Sequence, residues 1–171
     1  MKLLQAIGAI IAFLFFSFQS KSQSAHEQLI YDAFESYQEA LLANNVSKVA
    51  DFVHPNIIEI GGGKTYFVDG LTEEINMYRR SGMILDEIIV NQPSKVLESE
   101  DGFLQAMLPY TKSYETKGES VNESHFFHVC SFDKGKTWHF TDLKQYDSES
   151  IETFIPNYNK RLNIYLNSIN H

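Results

Sequence analysis

The sequence predicts an α+β domain in which a curved antiparallel sheet packs against N-terminal helices, with an additional C-terminal helix. Apolar side chains recur at helical spacing over residues 25–44, whereas runs of strand-forming residues separated by turn residues fill residues 84–143. Consecutive strands joined by short turns form antiparallel sheets. One layer of helices covering one face of such a sheet accounts for both halves of the chain.

The clearest local signal is the turn SFDKGKTW at residues 131–138. Asp133 is expected to accept hydrogen bonds from turn amides, and Gly135 to take the positive φ that a tight hairpin needs. Trp138, the only tryptophan, should then point into the core. The run resembles the Asp-box of sialidases, which in those proteins is a structural hairpin. A propeller needs several such blades, and 171 residues are too few for them.

Three helices are predicted in the first half of the chain. Residues 25–44 carry an apolar stripe at helical spacing, and residues 46–52 form a shorter helix that His54-Pro55 should end. Residues 71–81 form the third, followed by a glycine.

A small strand pair is predicted between the second and third helices. Residues 57–60 form the first strand, the three glycines at 61–63 a flexible hairpin or bulge, and residues 66–68 the returning strand. A phosphate-binding loop is excluded because its first glycine would have to stand where Ile58 is.

The second half is predicted to be a meander of strands at residues 84–92, 95–98, 103–114, 120–132 and 136–143. Pro109 cannot donate to a ladder, so it predicts a bulge or an edge position in the third of these. Residues 148–169 are predicted to be helical, with Pro156 kinking or splitting the helix.

The N-terminus has the pattern of a secretory signal. Lys2 precedes the apolar residues 3–18, and small polar residues follow up to residue 24. This predicts a signal peptide at residues 1–24, a domain at 25–147 and a C-terminal helical extension packed on it at 148–171. The protein is then secreted or periplasmic, with no membrane segment after cleavage. An uncleaved anchor is the alternative.

Charge and side-chain chemistry limit the partners. The formal charge of −8 becomes −10 when two lysines leave with the signal peptide, which argues against nucleic acid and anionic membranes. Cys130 is the single cysteine, so no internal disulfide is expected. His125 and His128 lie three apart in a strand and should face opposite sides. No histidine pair has convincing metal spacing, so neither a metal nor a cofactor is predicted.

The order of these elements resembles the NTF2-like, SnoaL-like superfamily of cone-shaped α+β proteins. The resemblance covers roughly residues 28–143. Its carriers are FESYQEALLANN at residues 34–45, VADFVHP at residues 49–55, Gly82, and GKTW at residues 135–138. It implies a hollow between helices and sheet and allows a homodimer. The superfamily includes isomerases, cyclases, dehydratases, transport factors and plain binding domains.

The ketosteroid isomerases of that superfamily use a helix tyrosine, a strand acid and a general-base aspartate. In this sequence Tyr37 matches the tyrosine and His128 falls near the strand acid. The base position falls on Ile60, next to Glu59. The resemblance therefore implies Tyr37, His128 and Glu59 as candidate catalytic residues, with Asp69 as a second candidate base.

An aromatic ligand pocket is the other interpretation of these residues. It would be lined by Tyr37, Tyr66, Tyr78, Tyr110 and His128, because aromatic walls with a few polar tips are common in small-molecule sites. Alternatively, the tyrosines are core residues whose hydroxyls reach the surface.

Three functions follow. The favoured one is a secreted NTF2-like domain that binds a small apolar or aromatic ligand, or a protein partner, without catalysis. The second is a SnoaL-like lyase or isomerase that uses Tyr37 and His128, with Glu59 or Asp69 as base. The third is a structural module that dimerises through the outer face of the sheet.

Overall fold

The computed structural model describes residues 25–144, 146 and 150–166. It confirms the predicted α+β class, with a strongly curled antiparallel sheet packed against helices. The first half contains α1 (Ala25–Leu42), α2 (Val46–Val49), a 3₁₀ turn (Ala50–Phe52), α3 (Pro55–Ile60) and α4 (Lys64–Arg80). The predicted signal peptide at residues 1–24 lies outside the described residues.

The sheet has five strands: β1 (Met83–Val90), β2 (Leu97–Glu98), β3 (Leu104–Thr116), β4 (Glu119–Ser131) and β5 (His139–Asp142). Their spatial order is β1-β3-β4-β5, with the short β2 also paired to β3. The long hairpin of β3 and β4 keeps one register from the Leu104–Ser131 pair to the Thr116–Glu119 pair. This hairpin forms the central part of the sheet.

Of the two alternatives predicted for Pro109, the bulge is absent, and Pro109 lies where the pairing of β3 with β1 ends. It lies opposite Phe126 without a register shift. On its other side β1 ends at Val90, and the Asn91 N–H donates to the Pro109 carbonyl at 2.9 Å. The proline thus stands just beyond the end of β1, where its missing N–H breaks no ladder bond. The irregularity in this sheet lies in β1, between Leu85 and Glu87.

The two faces of the sheet carry separate cores. The inner face, which we define as the one against α1, contributes Leu108 and Phe127 to a cluster with Phe34 of α1. The outer face contributes Met107 and Phe126 to a cluster with the C-terminal segment. Because successive side chains of a strand point to opposite faces, adjacent residues of β3 and β4 serve different cores.

The strand pair predicted at residues 57–60 and 66–68 is wrong, since both runs are helical, in α3 and α4. A short apolar run does not by itself distinguish strand from helix. Here His54 Nδ1 accepts the Asn56 N–H at 3.1 Å and Pro55 begins the helix, so His54-Pro55 starts a helix as well as ending the previous one.

The three glycines at 61–63 join α3 to α4 and do not form a hairpin. Gly61 ends α3, and Gly63, at φ +93°, precedes α4. The helix that was predicted to begin at residue 71 is therefore α4, which begins at Lys64.

The turn at residues 131–138 agrees with its prediction. Asp133 Oδ1 accepts the N–H groups of Lys136 and Thr137 at 3.1 and 2.9 Å, and Gly135 has φ +88°. The backbone hydrogen bond from Thr137, with bonds from neighbouring side chains, lowers the pKa of Asp133 to about 2. Trp138 is buried in the inner core.

The C-terminal segment is split, which is one of the two outcomes predicted at Pro156. It contains α5 (Ile151–Phe154), a 3₁₀ turn (Lys160–Leu162) and α6 (Asn163–Leu166). Ile155 has extended backbone, which is the conformation that a following proline favours. Pro156 therefore ends α5 and splits the predicted helix. Within the described part of the chain, no helix is long and apolar enough to cross a membrane.

Candidate functional site

A cavity of about 350 Å³ lies between α1, α4 and the inner face of the sheet. Much of its wall is apolar, formed by Leu41, Phe67, Leu71, Ile75, Met83 and Leu85. The α4 members recur at helical spacing, so one face of that helix forms one wall. Of these residues, Phe67 lies in the part of α4 that the predicted shorter helix did not include.

Charged side chains occupy inward positions at the base of this cavity. In β3, Tyr110 belongs to the inner core, and two-residue alternation places Lys112 and Tyr114 on the same face. In β5, Phe140 belongs to the inner core, and Asp142 follows it on that face. Lys112 of β3 and Asp142 of β5 thus point inward from two strands that β4 separates.

Tyr110, Lys112 and Asp142 form what we call the polar cluster. The Tyr110 hydroxyl donates to Asp142 Oδ1 at 2.6 Å, and Lys112 Nζ donates to Asp142 Oδ2. The Lys144 N–H adds a bond of 3.0 Å to Oδ1. Three donors therefore satisfy this carboxylate, as a charge held in a partly buried place requires.

The lysine of the cluster also lies over aromatic rings. Its Nζ atom is 4.9 Å from the ring centre of Tyr110 and 5.4 Å from that of Phe127. Both distances are within the range of cation–π attraction. The Lys112 side chain is only 13% exposed, so this ammonium group is held by one carboxylate and two ring faces.

The electrostatics keep Asp142 ionised and the nearby tyrosines protonated. Burial alone would raise the pKa of Asp142, but the charge of Lys112 and the hydrogen bonds to the carboxylate lower it overall. Burial and the Asp142 charge raise the pKa of Tyr110 and of Tyr37. At neutral pH both hydroxyls are therefore hydrogen-bond donors.

The five residues predicted to line one pocket do not meet there. Tyr37 and Tyr78 line the cavity. Tyr110 is buried beside it and holds Asp142. Tyr66 is 72% exposed on α4, and His128 is on the outer face of the sheet.

His128 belongs to the contact between the sheet and the C-terminal segment. Its Nε2 atom lies 3.1 Å from Gln105 Oε1, and its ring centre lies 5.4 Å from that of Tyr158. Burial, followed by the nearby His54, lowers its pKa to about 3, so the ring is neutral. The alternation of side chains along β4 explains why His128 lies across the sheet from the cavity. Phe127 faces inward, and both of its neighbours face outward.

The two candidate bases also lie away from the cavity. Glu59 is exposed on α3 and Asp69 on α4, and neither is part of the lining. Glu59 was expected next to a strand position, but the helix removes that relationship. Within the described residues, the carboxylates that line the cavity belong to Glu74 and Asp142.

Lys112 and Asp142 were missed by sequence reasoning, although a signal for each exists. Lys112 lies two residues after Tyr110, and Asp142 two residues after Phe140. Charged residues at inward positions of aromatic-rich strands are rare unless they are paired. Two such residues of opposite charge in a predicted sheet indicate a buried ion pair.

Comparisons with known proteins add no identification. No protein-family model matches the chain, and no curated protein matches it. In the part of the chain that the structure describes, no cluster of three or more His, Cys, Asp or Glu residues could hold a metal ion. The site is therefore interpreted from its own geometry.

Proposed function

We propose that this protein is an NTF2-like domain that binds a small apolar or aromatic ligand in the cavity, without catalysing a reaction on it. One observation carries the proposal: a cavity of about 350 Å³ in which apolar side chains form much of the wall and Lys112 and Asp142 of the polar cluster lie on the same lining. Small-molecule sites combine such walls with a few oriented polar groups. The curled sheet packed against helices is compatible with the NTF2-like resemblance.

Binding is favoured over catalysis because the carboxylate of the polar cluster is not a free base. Asp142 is bonded by three donors, and its lowered pKa makes it a weak proton acceptor. Glu59 and Asp69 lie elsewhere, and His128 lies across the sheet. These placements weigh against the SnoaL-like lyase or isomerase alternative.

Two further parts of the proposal concern location and assembly. The signal-like residues 1–24 support a secreted or periplasmic protein. A homodimer through the outer sheet face remains a third alternative. It is less favoured, because the C-terminal segment already covers Met107 and Phe126 on that face.

The proposal is tested by ligand screening of the purified protein with thermal unfolding as the readout. A ligand present at about 100 times its Kd stabilises the folded state by about 2.7 kcal/mol. We expect hits among small molecules with an apolar or aromatic body. Leu71→Trp, which fills the cavity from α4, should abolish the stabilisation.

Tyr66→Trp is the matched control. It places the same side chain on the same helix, but at a position that is 72% exposed and outside the cavity. This variant should respond to ligands as the wild type does. Hits that stabilise folded Leu71→Trp as well as the wild type would show that the cavity is not the binding site.

A further inference from the structure

We infer that the ligand of this cavity is a monocarboxylate with an apolar or aromatic body, and that Lys112 binds its carboxylate. The inference rests on the proposed function, because it specifies the ligand class of the same site. Four features of the cavity carry it.

The ammonium group of Lys112 has N–H donors that are not used in hydrogen bonds to the described residues. An ammonium group has three donors. Among the described residues, Asp142 is the one hydrogen-bond acceptor that Lys112 contacts, and its other close neighbours are the ring faces of Tyr110 and Phe127. Since Lys112 also lines the cavity, its remaining donors are available to a ligand there.

Asp142 has no comparable capacity for a cationic ligand. Its oxygens already accept from Tyr110, Lys112 and the Lys144 N–H. One of the roughly four acceptor positions of the carboxylate is left, but a ligand ammonium group there would approach the positive charge of Lys112. The base of the cavity therefore favours an acceptor over a donor.

Tyr37 supplies a second donor on the same lining. Within the described structure its hydroxyl has no hydrogen-bond partner, and its pKa is raised by burial and by the charge of Asp142. The hydroxyl is protonated at neutral pH. Tyr37 therefore offers a second donor to a ligand oxygen on the same lining.

The other charges of the cavity limit the ligand to a single negative charge. Lys144 also lines the cavity, but its Nζ atom is paired at 2.5 Å with Glu123, which is not part of the lining, and its side chain is 44% exposed whereas that of Lys112 is 13% exposed. With Arg79, the described lining carries three cations against the two carboxylates of Asp142 and Glu74, which is an excess of one positive charge, and the two carboxylates would repel a dianion such as a phosphate monoester. One carboxylate on an apolar body matches this balance.

The test measures the binding of matched probes to the purified protein by titration calorimetry. The probes are decanoate and 3-phenylpropanoate, their primary amides, and decyltrimethylammonium. We expect each carboxylate to bind about 10-fold more tightly than its amide, because a hydrogen bond from an ammonium to a charged acceptor is stronger than one to a neutral acceptor. Lys112→Met should remove this preference and leave amide binding within about 2-fold.

Two additional variants make the result interpretable. Lys112→Met leaves Asp142 without its counter-charge, so the double variant Lys112→Met/Asp142→Asn, which removes both charges, is measured beside it. It should also lose the carboxylate preference. Lys144→Met, which removes a lysine already paired with Glu123, should keep it.

The outcomes separate this inference from the proposed function. If the amides or the cationic probe bind as tightly as the carboxylates and Leu71→Trp blocks them, the inference is wrong and the proposed function stands. The same holds if the preference survives in the folded double variant. If no probe binds, or Leu71→Trp binds them unchanged, both are wrong.

Discussion

The Tyr110 hydroxyl donates a 2.6 Å hydrogen bond to Asp142 Oδ1, which joins two strands that are not neighbours in the sheet. β4 lies between them and places the Phe127 ring 4.4 Å from the Tyr110 ring. The bond therefore crosses β4 on the inner face of the sheet, next to the packed rings of Tyr110 and Phe127. It links the base of the cavity to the packing of the core, so the same residues serve stability and the site.

Removing this hydroxyl should destabilise the protein measurably. Tyr110→Phe keeps the ring but leaves Asp142 with one donor fewer, and hydrogen bonds to charged groups contribute about 1.5–3 kcal/mol. We expect a loss of that size in the free energy of unfolding, measured by urea titration. Tyr31→Phe is the control, because its hydroxyl bonds the Asn91 carbonyl at 3.2 Å in an exposed place. Equal effects of the two substitutions would contradict the assigned role.

Two glycines with similar backbone angles should respond differently to alanine. Gly135 has φ +88° and Gly118 φ +85°, so both substitutions incur the left-handed strain of about 1 kcal/mol. A Cβ on Gly135 would also lie 2.8 Å from His26 Nδ1, whereas one on Gly118 meets nothing within 4 Å.

We therefore expect Gly135→Ala to lower the free energy of unfolding by about 1 kcal/mol more than Gly118→Ala. Parallel thermal unfolding of the two variants provides the comparison. A matching loss in both would mean that the His26 ring moves aside without cost.

The C-terminal segment should contribute to the stability of the whole domain. Ile155 is 1% exposed and packs in the outer core, whereas Ile164 is 66% exposed. We expect Ile155→Ala to cost about 2–5 kcal/mol and Ile164→Ala less than about 0.5 kcal/mol. Urea unfolding followed by tryptophan fluorescence reports on Trp138, which lies in the other core. A loss limited to far-ultraviolet helical signal, with an unchanged Trp138 transition, would show that the segment folds independently.

Two buried histidines should make the protein sensitive to acid. Burial and the neighbouring His139 lower the pKa of His54 to about 4, and burial and His54 lower that of His128 to about 3. A histidine in an unfolded chain has a pKa of about 6.5. The unfolded state therefore binds protons first, so stability is complete above that value and falls as the pH drops through 6 and 5 toward the folded pKa values.

We expect each histidine to account for about 2 kcal/mol of lost stability near pH 5 relative to neutral pH. His54→Asn retains a capping side chain without titrating in this range, and His128→Gln retains a hydrogen-bonding group. Each should reduce the difference in unfolding free energy between the two conditions. Tyr66→Gln, on the exposed side of α4, should keep the wild-type pH response; if all three variants keep it, other groups cause the acid sensitivity.

The predictions that succeeded depend on residues close together in the chain. The turn at 131–138 contains Asp133 and the amides that it binds, so its conformation follows from local chemistry. The helix at 25–42 and the meander of long strands follow from periodicities within each segment. The pairing of the His54 ring with the Asn56 N–H is equally local, but a proline after a histidine is compatible with both a helix start and a helix stop.

The sequence by itself determined the α+β class, the Asp133 turn and the two-residue alternation that separates His128 from Phe127. Only the tertiary structure decided which of the two sheet faces carries the cavity. Alternation states that neighbours lie on opposite sides, but it does not state which side α1 covers and which the C-terminal segment covers. For the same reason the sequence shows Lys112 and Asp142 only as opposite charges on two separate strands. The curled sheet brings them together across β4 as an ion pair.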